Sequence, residues 1–207
     1  MPPVNDQPAP STGPTSPWLL LPLLLSLVLA GLLVGSRPHR QPALVSPPMV
    51  ETARTNLVRF QNLWCEIGHT NPFTGVMLEY YPGGLRMSRS VIAHGLLNGL
   101  SQGWFTNGQM QIQETYHDNL SDGLRTKWYP NGRKLSEATI VHGQIEGIFR
   151  RWHEDGSLAE EIPMHNGHQE GLGRAYYASG CLAGQVEVRA GRVVDQQTWP
   201  DGARKAL

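Results

Sequence analysis

The stretch "GLRTKWYPNGRKLSEATIVHGQIEG", Gly123–Gly147, begins and ends on the same glycine and carries "WYPNG" in its first half. The same 24-residue step runs outward in both directions. Gly75, Gly99, Gly123, Gly147 and Gly171 keep it without an insertion. Five residues after each glycine stands an aromatic: Tyr80, Trp104, Trp128, Trp152 and Tyr176. Four residues further on comes a second glycine, at Gly84, Gly108, Gly132, Gly156 and Gly180. A third closes the unit at Gly95, Gly143, Gly167 and Gly191, with Asn119 in the remaining slot. Asparagine is the usual substitute where the backbone needs positive φ. Three columns held in phase over five units make this a repeat protein.

Within a unit, Pro130-Asn131-Gly132 is turn chemistry, and Asn107-Gly108 and Asp155-Gly156 fit the same turn. The runs "LRTKWY" and "KLSEATIV" between the glycines are rich in β-branched and aromatic residues and lack helical apolar spacing. Each unit therefore reads as a β-hairpin, and "HGQIEG" passes the chain to the next one. Alternation places Val76, Leu100, Leu124, Ile148 and Leu172 on the side of the aromatics four residues on. The second strand adds Ile92, Tyr116, Ile140, Met164 and Val188. The expectation is one continuous aliphatic and aromatic ridge. One hairpin cannot bury such a stripe, so the units must stack into an elongated, twisted antiparallel sheet. Ten strands about 4.8 Å apart span roughly 50 Å.

The 207 residues divide by composition. Residues 1–17 have the proline-rich polar composition of a disordered tail. "WLLLPLLLSLVLAGLLV", Trp18–Val34, holds no charge, and with Gly35 predicts a transmembrane helix over 18–35. The lack of lysine or arginine before it argues against a cleaved signal peptide. Arg37, His39 and Arg40 follow the span, so the positive-inside rule directs the repeats to the cytoplasm. The expected layout continues with a proline-bearing linker over 36–58 and a degenerate capping unit over 59–74. Five hairpin repeats fill 75–194, and a C-terminal cap and tail follow over 195–207. The fold class expected is all-β, preceded by one transmembrane helix.

No catalytic or metal constellation emerges. The 17 basic and 17 acidic residues balance, so no global field draws in nucleic acid. Cys65 and Cys181 lack metal spacing. His94, His117, His142 and His165 recur near the turns, yet units two strands apart hold them about 10 Å apart, too far to share a metal bound at about 2 Å. Glu160 and Glu161 alternate to opposite faces and cannot act as a paired acid and base. An enzyme is not expected, nor is a cofactor.

The aromatics fall in two columns. Tyr80, Trp104, Trp128, Trp152 and Tyr176 form the expected structural spine. The next column, Tyr81, Phe105, Tyr129, His153 and Tyr177, points to the other side; with Arg125, Lys127, Arg151 and Arg174 it is the candidate interaction face, since interfaces are enriched in aromatics and arginine.

"GLSQGWFTNGQMQ", "GLRTKWYPNGRKLSE" and "GIFRRWHEDGSLAEE" resemble the bacterial variant of the MORN repeat, in particular the YwqK-type proteins labelled antitoxins. The resemblance covers about residues 70–202. It implies stacked MORN-like hairpins and brings no catalytic residue. The function expected is a membrane-anchored, non-catalytic scaffold that binds an unidentified protein. An antitoxin-like protein that neutralises a toxin partner and a lipid-surface module are the alternatives.

Overall fold

In the computed structural model, residues 49–203 are described. The expected tail over 1–17, the expected helix over 18–35 and the start of the linker lie outside them.

Sixteen strands follow in chain order: β1 (Glu51–Ala53), β2 (Leu57–Phe60), β3 (Leu63–Glu66), β4 (Gly75–Tyr80), β5 (Arg86–Ala93), β6 (Leu96–Trp104), β7 (Met110–His117), β8 (Leu120–Ser121), β9 (Gly123–Trp128), β10 (Lys134–Val141), β11 (Gln144–Trp152), β12 (Leu158–His165), β13 (His168–Gln169), β14 (Gly171–Tyr176), β15 (Leu182–Arg189) and β16 (Arg192–Thr198). Fourteen of them form one sheet, ordered β1-β4-β5-β6-β7-β9-β10-β11-β12-β14-β15-β16, with β8 on β7 and β13 on β12. The sheet is mixed, not purely antiparallel, because β1 pairs parallel with β4. The other two strands, β2 and β3, pair as a separate hairpin.

Two turn types alternate along the chain. Within a unit, the Tyr129 carbonyl accepts from the Gly132 N–H at 2.9 Å, and the Tyr129 N–H donates to the Arg133 carbonyl at 2.8 Å. With Gly132 at φ +83°, this is a type I turn closed by a glycine bulge. Phe105/Gln109, His153/Ser157 and Tyr177/Cys181 repeat the second bond at 2.8–2.9 Å. Between units the turn is tighter than the expected "HGQIEG". Val141 pairs directly with Gln144, and His142 and Gly143 take φ +48° and +84°. Positive φ at both central residues makes a two-residue type I′ turn, whose twist suits a right-twisted hairpin. Asp118 and Asn119 adopt it without glycine, at φ +48° and +69°.

The register corrects the expected single ridge. Directly opposed residues in an antiparallel pair share a face. Each repeat glycine lies opposite the second-strand apolar residue of its own unit: Gly75 with Ile92, Gly99 with Tyr116, Gly123 with Ile140, Gly147 with Met164 and Gly171 with Val188. That apolar column therefore lies on the glycine side. Val76, Leu100, Leu124, Ile148 and Leu172, one residue after the glycines, lie with the tryptophans on the other side. Burial varies along each face: on the glycine side Ile92 and Ile140 are 0% and 1% exposed, and on the other side Leu124 and Ile148 are 54% and 42% exposed while Val76 of the first unit is fully buried. The molecule has a glycine face and a tryptophan face, and they are buried unequally.

The core sits at the N-terminal end of the glycine face. The β2–β3 hairpin lies over it, so that Leu57, Trp64 and Phe73 pack with Met77, Ile92 and Leu97. The Trp64 N–H donates to the Gly95 carbonyl at 2.9 Å, and the Gly95 N–H to the Phe73 carbonyl at 2.8 Å. A Cβ on Gly95 would lie 2.7 Å from the Leu63 Cβ, so only glycine allows the hairpin this close. Arg54 and Arg59 stack on Trp64, at 4.1 and 4.8 Å from the ring centre. The first strand starts at Glu51, so the cap begins earlier than the expected residue 59 and takes in the end of the expected linker. Cys65 is fully buried within it, and neither it nor Cys181 is in a disulfide.

Candidate interaction surface

Three surfaces are built by the repeat: the tryptophan face, the glycine face and the two rows of turns.

The tryptophan face carries the expected spine, but as a half-exposed surface. Trp104, Trp128, Trp152 and Tyr176 are half-buried, and Tyr80 is 47% exposed. A cation from the preceding unit lies over two of the rings: Arg86 over Trp104 at 5.8 Å and Lys134 over Trp152 at 5.2 Å. Such stacking holds a ring in place while leaving one edge wet. Beside the rings stand Leu124 and Ile148, with polar pairs between them: Gln102 bonds Gln113 at 3.1 Å and Arg150 pairs with Glu161 at 2.8 Å.

The second aromatic column sits where the strands enter the type I turns, and most of its polar tips are already engaged. The Tyr81 hydroxyl donates to the Trp104 carbonyl at 2.8 Å, Tyr129 to Trp152 at 2.9 Å and Tyr177 to Trp199 at 3.0 Å. His153 reaches the Tyr176 carbonyl through Nε2 at 2.8 Å. Each of these rings ties its unit to the next. Phe105 has no such donor. Aromatic residues one place after a tryptophan gave this column away in sequence; the inter-unit bond did not show there.

The cations grouped with that column divide between the faces. Arg125 and Arg151 lie on the glycine face, where Arg125 Nε donates to Glu114 at 2.7 Å and Arg151 Nε to Glu160 at 3.1 Å. Lys127 shares that face and is exposed. Arg174 pairs in register with Glu161, on the tryptophan face.

The glycine face changes character along its length. Past the cap, the Ser90 and Ser101 hydroxyls bond each other at 2.8 Å. Next comes Glu114, 8% exposed, which accepts from Tyr116 at 2.9 Å, Ser121 at 3.1 Å and Arg125. A buried carboxylate holding three donors is satisfied. Burial, and then Glu114, push the Tyr116 phenol up to about 12. At the C-terminal end the face turns apolar and uncovered. A groove of about 350 Å³ runs over Ile162, Gly173, Ala175, Gly184 and Val186. The Gln169 amide flanks it, donating to the Val186 carbonyl at 2.9 Å.

The type I′ turns form a row of polar side-chain contacts, three of them from turn N–H groups to carboxylates. The residue before four of the five repeat glycines accepts from the turn that closes the unit: Thr74 from the His94 N–H at 2.9 Å, Asp122 from His142 at 3.2 Å, Glu146 from Asn166 at 2.9 Å and Glu170 from Ala190 at 3.0 Å. Asn98 instead donates to Asp118 at 2.9 Å. His165 Nδ1 lies 2.9 Å from Glu146. Bonds from the Asn166 N–H and from His165 hold the Glu146 carboxyl below its ordinary value, and Glu146 raises His165. His94, His117, His142 and His165 are all exposed. No three metal-ligating side chains converge among the described residues.

A family model, the MORN repeat variant, matches residues 97–118 and 145–166, the last residues of the first unit with most of the second, and the end of the third with most of the fourth. No curated protein matches the chain. Repeats of this family are non-enzymatic and serve protein and membrane interaction.

Proposed function

We propose that this MORN-repeat protein is a non-catalytic scaffold that holds a protein partner against its tryptophan face, tethered to a membrane by residues 18–35 with the repeats on the cytoplasmic side. The single observation that carries the reading is the exposed stripe of Leu124 and Ile148 beside the half-buried Trp128 and Trp152. An aliphatic and aromatic stripe left uncovered in the middle of a sheet face is a surface suited to a partner. The interspersed pairs, Lys134 with Glu137 and Arg150 with Glu161, supply a polar rim. The second aromatic column serves this surface indirectly, by fixing the spacing between units.

The test is crosslinking in intact cells, followed by identification of proteins captured by the full chain. Leu124→Glu with Ile148→Glu is expected to lose the captured partner while keeping the native circular dichroism spectrum. Val58→Glu, on the exposed side of the cap, is expected to keep it. Capture that survives the double substitution contradicts the reading.

A further inference from the structure

The column after the tryptophans has five members, and four of them reach the next unit's carbonyl through a phenol or an imidazole. Phe105 is the fifth. A phenyl ring has nothing to donate, so the Trp128 carbonyl lacks the rung that the carbonyls of Trp104, Trp152, Tyr176 and Trp199 receive. At this same place the surface opens into a cleft of about 420 Å³. Its walls are Phe105, Ile112, Trp128, Tyr129 and Pro130, with Lys127 also lining it. Lys127 has no ion pair among the described residues. A missing donor, an apolar hollow and an unpaired cation coincide at the junction of units 2 and 3.

We propose that this cleft takes a tyrosine side chain of a protein partner, with the phenol donating to the Trp128 carbonyl oxygen and an adjacent carboxylate meeting Lys127. The chemistry follows from the other rungs. Three of the four are phenols, bonded at 2.8–3.0 Å. A mostly apolar hollow, with the Gln111 amide and Lys127 as its polar lining and no phenol rung on the Trp128 carbonyl, suits a ring that is apolar along its body and polar at its tip. Glycine at 103, in the position that holds Glu79, Lys127, Arg151 and Ala175 in the other units, leaves Ile112 uncrowded beside the cleft. A Cβ there would come within 3.0 Å of the Ile112 Cγ2. The inference rests on the reading of the chain as a protein-binding scaffold and adds the chemistry of one contact.

Saturation-transfer NMR on the full chain tests it, with two N-acetylated, C-amidated tripeptides, Glu-Tyr-Glu and Glu-Phe-Glu. The tyrosine peptide is expected to bind about two- to tenfold more tightly, the worth of one neutral hydrogen bond. Phe105→Tyr supplies the phenol from within the chain and is expected to abolish that preference while the spectrum stays native. Lys127→Ala is expected to weaken both peptides alike. No binding by either peptide, equal binding of the two, or a preference that survives Phe105→Tyr overturns the proposal. Partner capture that still depends on Leu124 and Ile148 would then leave the scaffold reading standing, so the two failures are told apart.

Discussion

The two ends of the glycine face are built from the same repeat and have opposite fates. At the N-terminal end Met77 and Ile92 lie under the β2–β3 hairpin and are 7% and 0% exposed. At the C-terminal end Val186 and Val188 occupy the corresponding second-strand column and neighbouring position, and both stay half-exposed. The hairpin register is the same at both ends, Gly75 with Ile92 and Gly171 with Val188; what covers the face differs. A repeated hairpin fixes the sheet, and a non-repeated segment decides which part of it becomes a core. The large side chains that bury against one another therefore cluster in the first unit and its cap, while further along Ile140 and Leu182 are buried outside that cluster.

The largest expected effects break the covered end. Trp64→Ala removes the ring that holds the cap and is expected to cost about 3–5 kcal/mol, and Ile92→Ala about 2–5 kcal/mol. Val186→Ala, at the open end, is expected to cost about 1 kcal/mol or less. Urea denaturation of the three variants checks the order, and equal losses would erase the contrast. A second pair sharpens it at one shared turn position. Gly95→Ala drives a Cβ to within 2.7 Å of Leu63, whereas Gly191→Ala meets nothing within 4 Å. Both glycines have positive φ, so each substitution carries about 1–2 kcal/mol of backbone strain. Gly95→Ala should exceed Gly191→Ala by the additional overpacking, about 1–3 kcal/mol.

The period and the hairpins were legible in the sequence because glycine at a required positive φ leaves few substitutes, and the columns stay in phase. The face assignment was not. From Gly123 and Leu124 alone, alternation says only that they point apart. Which of them faces Ile140 depends on the bulges around Trp128 and Gly147, and these change the pairing by residues that no one-dimensional spacing shows. The candidate interaction column was found by its aromatic character. Its inter-unit bonds were hidden because they join residues 22 or 23 apart, Tyr129 to Trp152 among them. The cap was partly visible as a degenerate unit over 59–74, but its parallel β1 strand is only three residues long and carries no turn signal.

Smaller effects sharpen the comparison of neighbouring units. Tyr129→Phe removes one rung and is expected to cost about 1 kcal/mol, and Phe105→Tyr to gain a similar amount by adding one. Opposite shifts in melting temperature check the pair. The smallest effect is electrostatic. His165 is raised by Glu146 and both are exposed. A raised imidazole contributes stability that is full below about pH 6.5, its unfolded value, and fades as pH rises through the folded value. NMR titration should find His165 above its ordinary value, and Glu146→Gln should return it there.

Residue-resolved hydrogen exchange on the full chain puts the contrast between the two ends to its most direct test. The amides of Trp64, Phe73, Gly95 and the β4–β5 strands are expected to exchange last, through global unfolding, and those of β15 and β16 first. Uniform protection along the sheet, or slowest exchange at β15 and β16, would contradict a core cluster centred on the capped end.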